Sequence, residues 1–331
     1  MEDFLSDTFQ RILVDFSPPA HLRAVEDGGS NEKLWNQIAD SGFLEALAPE
    51  SSGGAGLDLA AVLPLILACG QHLTPVPFAE TMLARSLFLS VGHAPPAGPI
   101  VLAVAAGTGG DVACHAVPLA AVSDFALVDR GETLDLLRID EATVRETGVH
   151  ASLAADLVWS RPRPVASIAA PQARLLEIGA ALDAAKMAGA MERALELSLT
   201  YANDRQQFGR SIGKFQAIQH QLSVLAEHVF SSLMAVRMAF APGVLLPSAK
   251  LAAVAKLRTS EAVPHVAAIA HAVHGAIGIS EEYDLQLFTR RLHEWRLANG
   301  SDSYWAHRLG EARLRAGEGT SVDFIRTELA G

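Results

Sequence analysis

The sequence predicts a mostly helical α+β protein, with an N-terminal helical domain (1–95), a small middle β-domain (96–168) and a C-terminal helical bundle (169–331). Three observations carry that prediction. Half of the 331 residues are apolar, only 6% are aromatic, and alanine, the strongest helix former, dominates the apolar fraction. Helical periodicity occupies both ends of the chain and short β-type runs occupy the middle. The elements come in blocks rather than alternating strand and helix, which is the α+β order.

The opening MEDFLSDTFQRILVDF is acidic and amphipathic, unlike a secretory leader. EKLWNQIADSGFLEAL sets Leu34, Trp35, Ile38, Phe43 and Leu44 on roughly one face of a helical unit. The glycine-rich PESSGGAGLD ends that unit, and Leu57–Cys69 reads as a buried helix. HLTPVPFAETMLARSLFLSVG turns at its two prolines and forms another helix. From about residue 96, PIVLAVAAG, HAVPLAAVSDFALVDRG, ETLDLLRID and SLAADLVWSRPRPV are β-type runs punctuated by Gly, Asp and Pro. After Pro171 the helical pattern resumes over 173–203, 216–240, 246–275, 281–298 and 301–316.

The formal charge of −11 argues against nucleic acid as a partner. A phosphorylated ligand stays open, because a few arginines in one pocket suffice for it. Cys69 and Cys114 are the only cysteines and lack CxxC spacing, so neither a disulfide framework nor structural zinc is expected, and a reducing, cytoplasmic setting fits. The histidines have no carboxylate at zinc-like spacing, so no metal is expected. The longest apolar run, LDLAAVLPLILACG, is short and proline-interrupted, and no membrane span is expected.

The densest mixture of functional groups is DRQQFGRSIGKFQAIQH, residues 204–220, between two predicted helices. Tyr201 and Arg205 share a face at the end of the first helix. Gln206–Gly209 leads the chain away, and Arg210 and Lys214 add charge near the next helix start, where backbone N–H groups attract anions. A planar, bidentate guanidinium suits a pyrophosphate. The same residues also suit an interhelical turn with solvated arginines, and the stretch alone leaves both readings open.

A second stretch, AHAVHGAIGISEEYDLQLFTRRLHEWRLANGS (270–301), has the same character, with a break at Gly275 and Gly278 between helices. Together, R-x-x-F-G-R-x-I-G-x-F-Q-x-I-Q-H and the later H-G-A-I-G resemble the acyl-CoA dehydrogenase family. LWNQIADSGFLEALAPESSGGAGLDL and PVPFAETMLARSLF also resemble its helical domain. The resemblance implies an N-terminal helical domain, a middle β-domain and a C-terminal four-helix bundle that mediates oligomerisation. It implies FAD-dependent α,β-desaturation of an acyl-CoA thioester, in which a glutamate takes the α-proton. Carried over, it places Arg205, Gln207 and Phe208 on the pyrophosphate and adenosine half of an FAD shared across a subunit interface. Phe215 and Gln216 become further FAD contacts, Gly275 and Ala276 the turn over which the adenine end lies, and Ser301 a contact near the flavin phosphates.

Three departures accompany the resemblance. The family's glutamate falls in one of two places: 21 residues after the second turn glycine, here Asn299, or 26 before the arginine, here Gly179. Neither is a carboxylate, and a positioned base is worth about 10²–10⁴-fold in rate. Of the nearby acids, Glu177 lies about 200° round the helix from Gly179, and Asp302 suits a helix N-cap as well as a weak substitute base. Second, the family's amide before the glycine turn falls on Ala272, with His271 beside it as a possible replacement. Third, the β-domain lacks the Thr-Glu-Pro-like and Gly-Ser-Asp segments that hold a flavin ring. Arg290 and Arg291 read as an ion-paired helix face or as a CoA-phosphate contact.

These departures resemble the shorter subunit of bacterial heteromeric acyl-CoA dehydrogenases, including those acting on steroid side chains. Three functions stay in play: a subunit contributing to FAD binding within a homodimer, homotetramer or heterotetramer with a full-length partner; a silent assembly protein without flavin; and an active homodimer using a non-standard base.

Overall fold

The computed structural model describes residues 2–107, 110–169 and 174–329. Five helices form the N-terminal unit: α1 (Glu2–Phe16), α2 (Pro19–Glu26), α3 (Glu32–Asp40), α4 (Leu59–Gln71) and α5 (Phe78–Ser90). Asp58 caps α4 by accepting from the Ala61 N–H, and the helix runs through Pro64 without a break. The proline therefore does not interrupt this run as the sequence suggested, and α2 is an element the apolar periodicity did not show.

Seven strands make the β-domain: β1 (Ile100–Val104), β2 (Val112–Val117), β3 (Phe125–Asp129), β4 (Thr133–Arg138), β5 (Thr143–Glu146), β6 (Ala155–Trp159) and β7 (Ala166–Ala169). One sheet has the order β1-β3-β4-β7, with β1 and β3 parallel, and the other is the antiparallel β2-β6-β5. Period-two alternation sorts the buried side chains. Ile100, Leu102, Leu127, Leu134 and Leu136 join the main helical core. Val101, Ala103, Ala126, Val128 and Leu137 face the second sheet and pack with Cys114, Leu157 and Trp159. Strand β5, exposed along its whole length, has no hydrophobic alternation and escaped the sequence reading.

The C-terminal unit contains α6 (Leu175–Asp204), the two-residue strands β8 (Gln206–Gln207) and β9 (Arg210–Ser211), α7 (Gln216–Ala239), α8 (Ala249–His274), α9 (Leu285–Leu297), α10 (Asp302–Arg315) and α11 (Ser321–Glu328). The first residue of the expected 173–203 helix lies outside the described residues. Helix α6 is the central member, packing on α4, α7, α8 and α9. Its crossing with α4 depends on two glycines. A Cβ on Gly70 would lie 1.9 Å from the Lys186 carbonyl oxygen, and one on Gly189 would lie 2.0 Å from that of Leu67. Alanine at either point forces the helices apart.

Helices α7 and α8 have the length and mean hydropathy of a bilayer span, which a search for one unbroken apolar run overlooked. Both pack along each other and on α6 as bundle helices.

The N-terminal helices, the β-strands and the C-terminal helices meet at one ion-pair cluster. Glu26 on α2 accepts from Arg290 (2.8 Å) and Arg291 (2.6 Å) on α9. Arg291 also pairs with Glu294, and Glu294 accepts from Ser152 of the β-domain at 2.5 Å. The arginine pair thus joins α9 to α2, the ion-paired one of its two sequence readings, and Arg290 also borders a cavity between the β-strands and α9.

Candidate functional site

Helix α6 ends at Asp204, and the chain folds straight into the β8–β9 hairpin. The Ile212 N–H donates to the Arg205 carbonyl at 2.8 Å, closing the hairpin's base. Phe208 and Gly209 form its tip with φ of 50° and 78°, both left-handed. Two left-handed residues are what a two-residue hairpin turn demands. Glycine accepts this freely, whereas for a bulky L-residue it costs about 1–2 kcal/mol. The Phe208 side chain is nonetheless 91% exposed. Arg210 lies over the Phe215 ring at 4.1 Å, and Phe215 meets Phe208 edge-on, which stiffens the hairpin. Arg205 and Lys214 have no ion-pair partner among the described residues.

The glycine turn closes the other side. Gly275 ends α8 with φ 65° and ψ −144°, a combination open to glycine, and nothing lies within 4 Å of where its Cβ would be. A cavity of about 620 Å³ separates the two segments, lined by Arg205, Gln207, Phe208, Phe215, Gly275 and Ala276 among others. Six of the eight expected cofactor contacts therefore converge on one concave surface.

The other two do not. Gln216 is the exposed first residue of α7 and does not line the cavity. Ser301 is the N-cap of α10, its Oγ accepting from the Tyr304 N–H. The cap is thus Ser301 and not Asp302, which occupies the first helical position and binds Arg296 at 2.7 Å. That hydrogen bond holds the Asp302 carboxyl below the usual carboxylate range, the wrong direction for a base near neutral pH.

His271 does not replace the missing amide. Its Nε2 bonds Thr289 Oγ1 of α9 at 2.9 Å, so the ring is turned toward α9, while Ala272 lines the cavity. A residue the sequence reading passed over contributes instead. His274 stacks on Tyr201 with centroids 4.6 Å apart and is tilted against Tyr283, forming part of the cavity wall. Its Nδ1 donates to the Ala270 carbonyl, and its buried Nε2 makes no hydrogen bond of good geometry among the described residues. Burial pushes the imidazole's pKa down.

The two alternative base positions are neighbours in space. A Cβ on Gly179 would lie 2.8 Å from both Cγ and Nδ2 of Asn299, so the Asn299 side chain fills the room over Gly179. Asn299 Nδ2 donates to Asp183 Oδ2 at 2.8 Å, and the Trp305 Nε1–H donates to the Asn299 carbonyl. Asp183 lies one turn along α6 from Gly179 and pairs with Lys186 at 3.0 Å, which in turn pairs with Glu80 at 2.6 Å. Burial opposes the Lys186 charge, yet Glu80 and Asp183 outweigh it and hold its pKa above the usual lysine value.

Lys256 anchors the same loop from below, its Nζ donating to the Trp295 and Arg296 carbonyls at the end of α9. Glu177 points elsewhere and pairs with Arg308 at 3.1 Å. Beside the loop is an apolar cavity of about 400 Å³ between the β-domain and α9, lined by Ala116, Pro118, Val149, Trp295, Leu297 and Ala298 among others.

The chain is similar to known proteins along most of its length. The profile for the acyl-CoA dehydrogenase C-terminal domain matches residues 169–313. The acyl-CoA dehydrogenase IpdE2 of Mycolicibacterium smegmatis is 30% identical over 303 residues, covering 88% of this chain and 92% of its own. The chain belongs to the acyl-CoA dehydrogenase family. Among solved structures, a variant of the Tcur3481-Tcur3483 steroid ACAD superimposes with a TM-score of 0.80 at 25% identity, covering 95% of this chain and 98% of the other. The ChsE4-ChsE5 complex from Mycobacterium tuberculosis shares the fold, with a TM-score of 0.74 at 21% identity over 96% of this chain and 98% of the other.

Proposed function

We propose that this chain is a flavoprotein subunit that grips FAD across a subunit interface and leaves proton abstraction to a partner chain. The observation that carries the reading is the hairpin tip. Phe208 is held in a left-handed conformation, and beyond its edge-on contact with Phe215 its ring lies open to solvent. A surface held this way is explained by a ligand or partner that covers it.

The residues present fit the non-redox half of FAD. Arg205 offers an unpaired planar guanidinium for a pyrophosphate, Gln207 offers an amide, and Phe208 and Phe215 offer flat apolar contact. Gly275 leaves its face open, so a flat ring can lie against backbone. FAD, when bound, supplies the hydride acceptor for α,β-desaturation of an acyl-CoA thioester. At Asn299 and Gly179 this chain offers only an amide and an empty Cα, so the α-proton needs a carboxylate from elsewhere. A full-length dehydrogenase in a heterotetramer supplies both the base and the rest of the flavin site. The two structural neighbours named as two-component assemblies, Tcur3481-Tcur3483 and ChsE4-ChsE5, support that arrangement.

The test is flavin absorbance of the purified chain, alone and co-expressed with a full-length paralogue, with Arg205→Ala beside each. One charge-assisted contact is worth about 1.5–3 kcal/mol, so the variant should bind FAD roughly 10- to 100-fold more weakly. A complex whose flavin content is unchanged by Arg205→Ala rejects the assignment. A homodimer that oxidises acyl-CoA unaided rejects the division of labour.

A further inference from the structure

The loop at the base position reads Ala-Asn-Gly-Ser over residues 298–301. An asparagine followed by glycine is the pair most open to attack on its side-chain amide by the next backbone nitrogen, because glycine puts no Cβ in the way. The Gly300 N–H donates no hydrogen bond among the described residues, so its nitrogen is not tied up. Asn299 is half-buried, within reach of solvent. We propose that Asn299–Gly300 is a self-modifying site, which converts the neutral amide over Gly179 into a carboxylate.

The chemistry needs only water. Gly300 N loses its proton to solvent base and attacks Asn299 Cγ. The N–Cγ bond forms, the Cγ–Nδ2 bond breaks, and Nδ2 departs as ammonia after taking up a proton. Water then opens the five-membered imide at either carbonyl, leaving aspartate or isoaspartate. The net change is one water in and one ammonia out.

The surroundings set both the pace and the consequence. Asp183 Oδ2 holds Nδ2 at 2.8 Å, and Trp305 holds the Asn299 carbonyl, so the amide must leave its clamp before it cyclises. Conversion in the folded chain is therefore slower than in a free peptide. The aspartate product, unlike isoaspartate whose main chain runs through Cγ, places a second carboxylate against Asp183, whose own charge is paired with Lys186. Two carboxylates at hydrogen-bond distance share a proton, which raises the proton affinity of the pair. Gly179, lacking a Cβ, leaves the new acid room. That is the setting of a base tuned toward neutral pH. This consequence, unlike the modification, rests on the flavin-subunit reading above and concerns the converted chain alone, the unconverted chain depending on its partner's base.

The full-length protein is aged in mildly alkaline buffer and digested with trypsin, which releases Leu297–Arg308 as one peptide. The expected result is the mass gain of an amide-to-acid change, split between aspartate and isoaspartate forms. Asn299→Gln should show none, since its longer side chain disfavours the five-membered ring. If the folded protein stays amidated while the same excised peptide converts, the proposal is overturned.

Asn299→Asp supplies the aspartate product directly. It should bleach bound flavin with acyl-CoA about tenfold or more faster than Asn299→Gln. An Asn299→Asp protein that holds FAD like the parent and bleaches no faster overturns the consequence and leaves the modification to the mass data. If parent and variant both fail to bind FAD in any assembly, it is the flavin-subunit reading that falls.

Discussion

Gly179 has no side chain, and that absence determines where Asn299 can lie. The resemblance sets the family's two alternative base positions here, neither of them a carboxylate, and the fold puts both on the same spot. The Asn299 amide occupies the space over Gly179 and is fixed there by Asp183. Gly179→Ala should therefore expel the Asn299 side chain and cost about 1–3 kcal/mol by overpacking. In Asn299→Ala the three atoms nearest the new methyl are gone, so the double variant should be less destabilised than the two single costs added together. Chemical denaturation of the four proteins closes that cycle, and additive costs would show that the two residues do not compete for space. The spacing was legible in sequence because motif distances along helices are rigid. The partners were not, because Glu80 of α5, the Asp183–Lys186 pair of α6 and the Asn299 loop come together only when those elements pack. For the same reason His271 looked like a replacement amide until its ring was seen turned to Thr289, and His274 went unnoticed.

Among the elements, helices with a strong apolar period were readable and those without one were not. Helices α6 to α10 lie close to their expected spans, whereas α2, α11 and the fully exposed β5 carry too little buried surface to announce themselves. The sharpest element-level test concerns the join of α8 to α9. Lys256, on α8, is fully buried and donates to the last carbonyls of α9. Burial lowers its pKa from the ordinary lysine value to about 8, although the Asp183 charge works the other way. Below pH about 8 the ammonium is charged in both the folded and unfolded chain, and the folded state bears the whole desolvation cost. Between that value and an unfolded pKa of about 10.4, the unfolded chain holds the extra proton. Stability contributed by this site therefore rises with pH across that window, by up to about 1.4 kcal/mol per unit. Urea denaturation at several pH values, compared with Lys256→Met, isolates the effect. The parent should gain on the variant as pH climbs, and parallel curves would mean that Lys256 carries no such shift.

For the whole molecule, the question is what makes three domains behave as one. The sequence showed the order of the blocks through their change in texture, but not their seams, since the residues that join them are far apart in the chain. Glu26 comes from α2, Arg290 and Arg291 from α9, and Ser152 from the β-domain, and each alone reads as a solvated surface group. Assembled, the Glu26 side chain is 5% exposed and that of Arg291 only 7%. A buried pair of this kind adds little over a well-packed apolar contact, yet removing one member strands the other's charge. Glu26→Gln leaves two guanidiniums facing a neutral amide, with Glu294 compensating only Arg291. The expected cost is about 3–5 kcal/mol, the figure for breaking a buried pair. Because the cluster spans the seam rather than any one core, the loss should appear as reduced cooperativity. Calorimetry of the parent should give one transition, and Glu26→Gln should split it, with the N-terminal helices and β-domain melting before the bundle. A variant that melts in a single transition at the parent's temperature would show that the apolar core shared by β1, α4 and α6 holds the domains together without this ionic seam.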